Sequence, residues 1–274
     1  MSETVFDPYL MRWGVIPDGE PIVTHSSQLL PVRRGAEPMM LKISNVEEER
    51  RGPVVMAWWA GTGAARVVEY DADAALLERA TGTRSLARMA AAGEDDAATR
   101  ILCDAVARLH VPHETSLPEL IPLTLWFRDL APAAERFGGI LRLSDVIARE
   151  LLAEPRDQAP LHGDIHHDNV LDFGPRGWLA IDPKGLNGER GFDYGNIFTN
   201  PIESHLPTEP GRLARRLEIV VEAAGMERER MLRWILAWSG LSAAWILLDG
   251  NGVDVEAAQA LEVARIAAGE LDLG

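Results

Sequence analysis

Apolar and polar positions follow two rhythms along this chain, and the rhythm changes near residue 80. Before that point, short apolar runs with alternating spacing predict strands. Residues 21–25 and 28–33 predict a hairpin pair, residues 34–37 a turn, and residues 39–43 a third strand. Residues 65–70 and 74–78 predict two more strands, separated by Asp71-Ala72-Asp73. One helix interrupts this series. It begins at Glu47-Glu48-Glu49, where the helix dipole favours acidic side chains, and stops at Gly61-Thr62-Gly63. Pro53 is tolerable in it only near the start. After residue 80 apolar positions recur with helical spacing in 85–92, 96–109, 143–153, 211–224, 227–248 and 255–271. Between these helices lies a strand-rich island around residues 161–182. The pattern predicts an α+β chain of two lobes: a small antiparallel sheet lobe over 1–80 and a larger helical lobe over 81–274.

Composition narrows the function. Apolar residues make up 47% of the chain, enough for an ample core. A formal charge of −15 argues against nucleic acid as the partner and fits a cationic ligand. The basic clusters at 84–88 and 212–216 are expected to be solvated helix faces. Cys103 is the single cysteine, so no intramolecular disulfide can form, and its helical surroundings predict a buried thiol. No basic, then apolar, then small-residue leader opens the chain, and the apolar run at 241–248 is too short to span a bilayer. A cytosolic protein with no membrane partner is expected, in a compartment that holds nucleotide triphosphate.

The island carries the chemistry. Leu161-His162-Gly163-Asp164-Ile165-His166-His167-Asp168-Asn169 is followed by Trp178-Leu179-Ala180-Ile181-Asp182. Asn169 lies five residues after Asp164, and Asp182 thirteen after Asn169. Phosphoryl transfer on the kinase plan uses such a set: one carboxylate faces the attacking hydroxyl, while an amide oxygen and a second carboxylate hold magnesium on the nucleotide phosphates. Asp164 is the expected base, and Asn169 and Asp182 the expected metal ligands. Each also has a plain reading as a turn or strand-end residue. Lys42 sits on an apolar strand, where an unpaired ammonium is costly. It is expected to pair with a glutamate of the following helix, Glu49 or else Glu48, and to meet the phosphates. Its alternative is a solvent-facing strand end.

The turn His25-Ser26-Ser27 offers amides and hydroxyls to the phosphates, although no glycine-rich signature marks it. Backbone groups of Glu78 and Ala80 are placed to meet an adenine at the link between lobes. His162 is expected to brace the loop. Adjacent His166 and His167 converge poorly on one metal, so one is expected to pack inward and one to lie on the surface. Asp193 is expected to tie the loop through backbone hydrogen bonds. Alternatively Glu189, Asp193 and Asn196 face a polycationic substrate.

These residues resemble the kinase-like antibiotic phosphotransferases, and more narrowly the aminoglycoside 6-phosphotransferase and hydroxyurea phosphotransferase family, which includes streptomycin 6-kinases. The likeness is densest in residues 161–170 and in Arg176-Gly177-Trp178-Leu179-Ala180-Ile181-Asp182-Pro183-Lys184-Gly185-Leu186. It continues through Gly188-Glu189-Arg190-Gly191-Phe192 to Asn200-Pro201, with outlying segments at 63–68 and 240–245. The His-Gly-Asp plus Asn pattern is shared by many small-molecule kinases; Ile-Asp-Pro-Lys-Gly is narrower. The resemblance implies a protein-kinase-like fold and transfer of the ATP γ-phosphate, with Mg2+, to a hydroxyl of a small cationic acceptor. It implies Asp164 as base, Asn169 and Asp182 as magnesium ligands, Lys42 as the phosphate-binding lysine and Glu49 as its partner. A streptomycin-type aminoglycoside is the first expected acceptor, and hydroxyurea or another small alcohol the second. A kinase-like module that only binds would be expected to lack one of Lys42, Asp164, Asn169 and Asp182, and all four are present.

Overall fold

The computed structural model describes residues 4–24, 26–44, 46–202, 204–250 and 255–273. A short helix, α1 (Asp7–Trp13), precedes the strands β1 (Ile16–Pro17), β2 (Ile22–Val23), β3 (Ser27–Arg34) and β4 (Glu37–Ser44). A tight turn over Glu47–Arg51 runs into α2 (Gly52–Trp59), followed by β5 (Val67–Tyr70) and β6 (Ala74–Glu78). The sheet order is β1-β3-β4-β6-β5, with β2 paired to β3, and every pairing is antiparallel. Alternation along β4 decides what each face meets. Met39 and Leu41 pack with Leu30, Val32 and Leu76 beneath Tyr9, Leu10 and Trp13, whereas Met40 and Lys42 turn to the cleft. Strand spacing thus predicts the sheet but not α1, whose seven residues are too few to declare a 3.6-residue period. Gly14, at φ +61°, stops it.

The helix expected from Glu47 is two elements. Pro53 falls in the first turn of α2, where its missing N–H is harmless. Gly52 is needed there because a Cβ would lie 2.9 Å from the Pro183 carbonyl oxygen. The α2 N-terminus therefore touches the residue after Asp182. Trp59 at the other end is fully buried, and its Nε1 donates to the Leu109 carbonyl at 3.0 Å.

The helical lobe opens with α3 (Leu86–Met89) and α4 (Asp95–Leu109), separated by a kink at Gly93. Strand β7 (Ile121–Pro122), α5 (Leu123–Trp126), α6 (Leu130–Phe137) and α7 (Ile140–Ala153) follow. Helical spacing misses α5 and α6 because both are short and proline-flanked: Pro122 precedes α5, and Pro132 lies in the first turn of α6. Next come β8 (Gln158–Leu161), the hairpin β9 (Val170–Asp172) and β10 (Trp178–Ala180), and β11 (Leu186–Glu189). β11 pairs antiparallel with β8 and parallel with β7. The chain ends in α8 (Gly191–Gly195), α9 (Arg212–Ala224), α10 (Arg228–Leu248) and α11 (Val255–Glu270). α10 is long and apolar enough to cross a membrane by composition, yet it packs against α6, α7, α8 and α11 with Leu232, Ile235, Leu236 and Leu241 buried. It is the core helix of this lobe.

The basic cluster at 212–216 is not a solvated face. Arg212 and Arg216 are buried, at 1% and 0% exposure. Arg212 grips Asp95 at the start of α4 through Nε and Nη2, both 2.8 Å. Arg216 donates to Thr99 Oγ1 at 2.8 Å and to the Ile197 carbonyl at 2.7 Å. A guanidinium is tolerated inside only when such partners replace water. Asp95→Ala strands these charges and is expected to cost about 3–5 kcal/mol in urea unfolding. A loss below about 1 kcal/mol would contradict their burial.

The lobes meet along a backbone seam. Ala65 N donates to the Ala180 carbonyl and Ala180 N to the Gly63 carbonyl, both at 2.9 Å. Ala64 and the first residue of the predicted strand 65–70, Ala65, are used here, before β5 begins.

Candidate active site

The loop between β8 and β9 is held from beneath. Gly163 takes φ +86°, and a Cβ there would meet Leu186 Cδ1 at 2.7 Å, so neither another conformation nor a larger residue fits. His162 is fully buried. Its Nδ1 accepts from Asp164 N at 3.2 Å, so its Nε2 carries the proton and donates to the Ile181 carbonyl at 2.8 Å. Burial pushes its pKa down to about 4 against the opposing pull of Asp193 and Asp164, which leaves a neutral brace. Asp193, 1% exposed, accepts from His162 N at 2.9 Å, Gly163 N at 2.7 Å and His110 Nε2 at 2.9 Å. It ties the loop and faces no open surface. Of the adjacent histidines, His167 is buried and His166 is partly exposed, with its Nε2 3.9 Å from Asp164 Oδ1.

Asp164 is half-buried. Its Oδ1 accepts from Asn196 Nδ2 at 2.9 Å and its Oδ2 from Asn169 Nδ2 at 3.2 Å. Asn169 also donates Nδ2 to the Asp164 carbonyl at 2.9 Å, and its own carbonyl accepts from Ile181 N at 2.9 Å. Asp182 follows in a left-handed conformation, φ +61°, that aspartate tolerates better than most residues. These bonds set Asp164, Asn169 and Asp182 in one register.

Lys42 reaches into this group from β4. Its Nζ donates to Glu49 Oε2 at 2.6 Å and to Asp182 Oδ1. Glu49 is thus the lysine's partner; the side chain of Glu48 lies outside the described residues. Lys184 donates to the other oxygen of Glu49 at 2.6 Å, and lies 3.7 Å from Asp164 Oδ2 and 4.0 Å from Asp182 Oδ2. Burial would raise the Asp182 carboxyl pKa, but Lys42 and Lys184 outweigh burial and hold it below the usual range. Two ammoniums face three carboxylates, a formal sum of −1. Lys184 falls within Ile-Asp-Pro-Lys-Gly, but nothing in the sequence spacing shows that it returns to Glu49.

A cleft of about 360 Å3 opens from this centre between the sheet and the β9–β10 hairpin. Leu29, Met40, Met56, Leu77, Leu171 and Ile181 line it, with Lys42 and Asp182 at its charged end. Ser27 lines it too, and Ser27 N donates to Thr24 Oγ1 at 3.0 Å. Ser26 is not among the lining residues, and His25 lies outside the described residues. Glu78 and Ala80 both line the cleft. The Glu78 N–H, however, is donated to the Arg66 carbonyl at 2.9 Å, so that donor is not available to a base.

The expected substrate-facing trio is corrected by burial. Glu189, 1% exposed, accepts from Arg230 Nε at 2.9 Å, Trp234 Nε1 at 2.7 Å and Arg156 N at 2.8 Å. It anchors α10 to β11, and these donors take up both of its carboxylate oxygens. Asp193 is consumed by the loop, and Asn196 by Asp164, Thr199 and Asn200. A second cavity of about 430 Å3 does open on the far side of Lys184, lined by Trp126, Arg128, Asp129, Trp245, Leu248 and Asp249. No spacing in the sequence brings those residues together.

Residues 12–250 match the family described as aminoglycoside/hydroxyurea antibiotic resistance kinase. The chain belongs to that family. It is similar to the streptomycin 3''-kinase of Klebsiella pneumoniae, with 53% identity over 265 residues, covering 95% of this chain and 99% of the relative. The streptomycin 6-kinase of Streptomyces griseus is 30% identical over 253 residues, covering 87% of this chain and 81% of the relative. Among solved structures, an aminoglycoside phosphotransferase from Streptomyces rimosus aligns with a TM-score of 0.58 at 16% identity, covering 81% of this chain and 92% of that one. This antibiotic resistance kinase therefore has the bilobal, protein-kinase-like α+β architecture, and its family implies ATP as phosphoryl donor.

Proposed function

We propose that this kinase transfers the ATP γ-phosphate to the 3''-hydroxyl of streptomycin, with magnesium. The observation that carries the reading is the convergence of Lys42, Glu49, Asp164, Asn169 and Asp182 on one end of a nucleotide-sized cleft. The nucleotide-binding lobe is taken as residues 1–80 and the catalytic and acceptor-binding lobe as 81–274. In this reading Lys42 holds the α and β phosphates and Glu49 holds Lys42. Asp164 accepts the hydroxyl proton as the acceptor oxygen bonds to the γ-phosphorus and the bridging oxygen leaves with ADP.

The donor set fits magnesium. Asn169 directs its Nδ2 at Asp164, which leaves Oδ1 for a cation, and Asp182 supplies a carboxylate. No group of three or more His, Cys, Asp or Glu that could hold a metal occurs among the described residues. A site of two oxygen donors completed by phosphates and water is what magnesium takes, and the residual −1 suits a divalent ion. Magnesium supplies charge neutralisation on the phosphates when bound.

The resemblance to 6-kinases points to the 6-hydroxyl, whereas 53% identity to a 3''-kinase against 30% to a 6-kinase favours the 3'' position. The second cavity has a formally neutral lining, Asp129 and Asp249 against Arg128 and Lys184, and its two carboxylates and two tryptophans are the groups that would meet a cationic acceptor. The test is purified protein with ATP, magnesium and streptomycin, with the product assigned by NMR. A 3''-phosphate is expected. A 6-phosphate would overturn the position, and ADP release with hydroxyurea but not streptomycin would overturn the acceptor.

A further inference from the structure

Lys184 lines the second cavity and lies beside Asp182, which lines the first. Lys42 and Asp182 line the first cavity, Lys184 lines the second, and the Lys184 ammonium lies within 4.0 Å of both Asp164 Oδ2 and Asp182 Oδ2. If Asp164 meets the acceptor hydroxyl and Asp182 the nucleotide phosphates, the group in transit passes between these two carboxylates. Resting on that phosphoryl-transfer reading, we propose that Lys184 is a further catalytic residue, whose ammonium contacts the transferring phosphoryl group and stabilises the charge on its equatorial oxygens.

The main chain of Lys184 is anchored beside the catalytic loop, and Glu49 Oε1 holds its ammonium at 2.6 Å. Lys184 N donates to the His162 carbonyl at 2.7 Å, so its main chain is bonded to the loop that carries Asp164. Pro183 precedes it, and Gly185 follows at φ +67° with its carbonyl accepting from Ile121 N at 3.0 Å. The Gly163 backbone packs against Lys184, since a Cβ on Gly163 would lie 3.2 Å from the Lys184 Cβ. Donor geometry of this kind needs little rearrangement during the reaction, which is what makes electrostatic stabilisation effective.

The other ammonium has a different task. Lys42 lines the nucleotide cleft and Lys184 does not, although the two share Glu49, one on each carboxylate oxygen. A nucleotide that draws Lys42 off Asp182 leaves it on Glu49, whose other oxygen Lys184 holds. In the transfer, one P–O bond forms to the acceptor and one breaks to ADP, which takes the electron pair. The hydroxyl proton goes to Asp164, and Lys184 gains and loses none.

The test compares Lys184→Met and Lys184→Arg with wild type, using full-length protein, ATP, magnesium and streptomycin. Lys184→Met is expected to lower kcat by about 10²–10³-fold, the loss typical of removing one such donor, with ATP Kd changed by less than about threefold. Lys184→Arg keeps the charge and is expected to retain at least about a tenth of wild-type kcat. If Lys184→Met does not fold, Lys184→Gln removes the charge while keeping a donor for Glu49. The proposal is overturned if the uncharged variant keeps kcat within about tenfold of wild type. It is equally overturned if the loss appears in ATP Kd with kcat intact, which would mean that Lys184 only steadies Glu49 for Lys42. A wild type that releases no ADP with any acceptor would instead overturn the phosphoryl-transfer reading, and this inference with it.

Discussion

Asp164→Asn is expected to lower kcat by about a thousandfold while ATP affinity stays within about threefold of wild type. A positioned base contributes about 10²–10⁴-fold to proton transfer, and the amide offers no comparable basicity. The fold has little reason to respond. Asp164 is half-buried, and an asparagine oxygen still accepts from one of its two amide donors, Asn196 or Asn169. Asp164 is also absent from the lining of the nucleotide cleft, so ATP binding has no contact to lose. Steady-state rates with titration of ATP into the variant check both halves. Activity within tenfold of wild type would remove Asp164 from the role of base, the carboxylate to which both Asn196 and Asn169 donate.

Asp182→Ala is expected to reduce kcat by at least about a thousandfold and to abolish the saturable magnesium response, because several kcal/mol of charge stabilisation depend on the ion's seat. It acts differently from the first variant. Asp182 is an anion beside both lysines, so its loss changes the site from −1 to 0 and leaves less attraction for a divalent ion. Lys42 keeps Glu49, so the ammonium stays in place. ATP binding without magnesium is therefore expected to persist, or to strengthen by a small factor, while ATP binding with magnesium weakens. A magnesium titration of activity superimposable on wild type would count decisively against Asp182 as a ligand.

Much of the site was legible because its geometry is local. Asp164 and Asn169 share one loop, and their spacing alone brings an amide to a carboxylate. Asp182 follows a strand that must pair with β9, so the hairpin returns it to the same place. Lys42 could be singled out because an ammonium on an apolar strand needs a partner, and Glu49 supplies it. Long-range arrangements were not legible. Arg212 and Arg216 look like any basic helix face until α9 is packed on α4, and then Asp95, 117 residues away in sequence from Arg212, becomes their partner. Glu189 looks like an exposed acid in a glycine-rich segment until Arg230 and Trp234 arrive on α10. Lys184 belongs with these. Its importance depends on a glutamate 135 residues earlier.

The backbone seam between Gly63–Ala65 and Ala180 gives the lobes a second main-chain attachment, besides the single strand of chain that leaves β6 and the side-chain contacts across the cleft. One linker alone would act as a swivel with freedom about several axes. Two attachments leave one main axis of rotation, the line that joins them. Opening of the nucleotide cleft is then expected to be a rocking movement, like a door on two hinges. Lys42 on one leaf and Asp182 on the other are in contact, so rotation about that line is expected to change the gap between them.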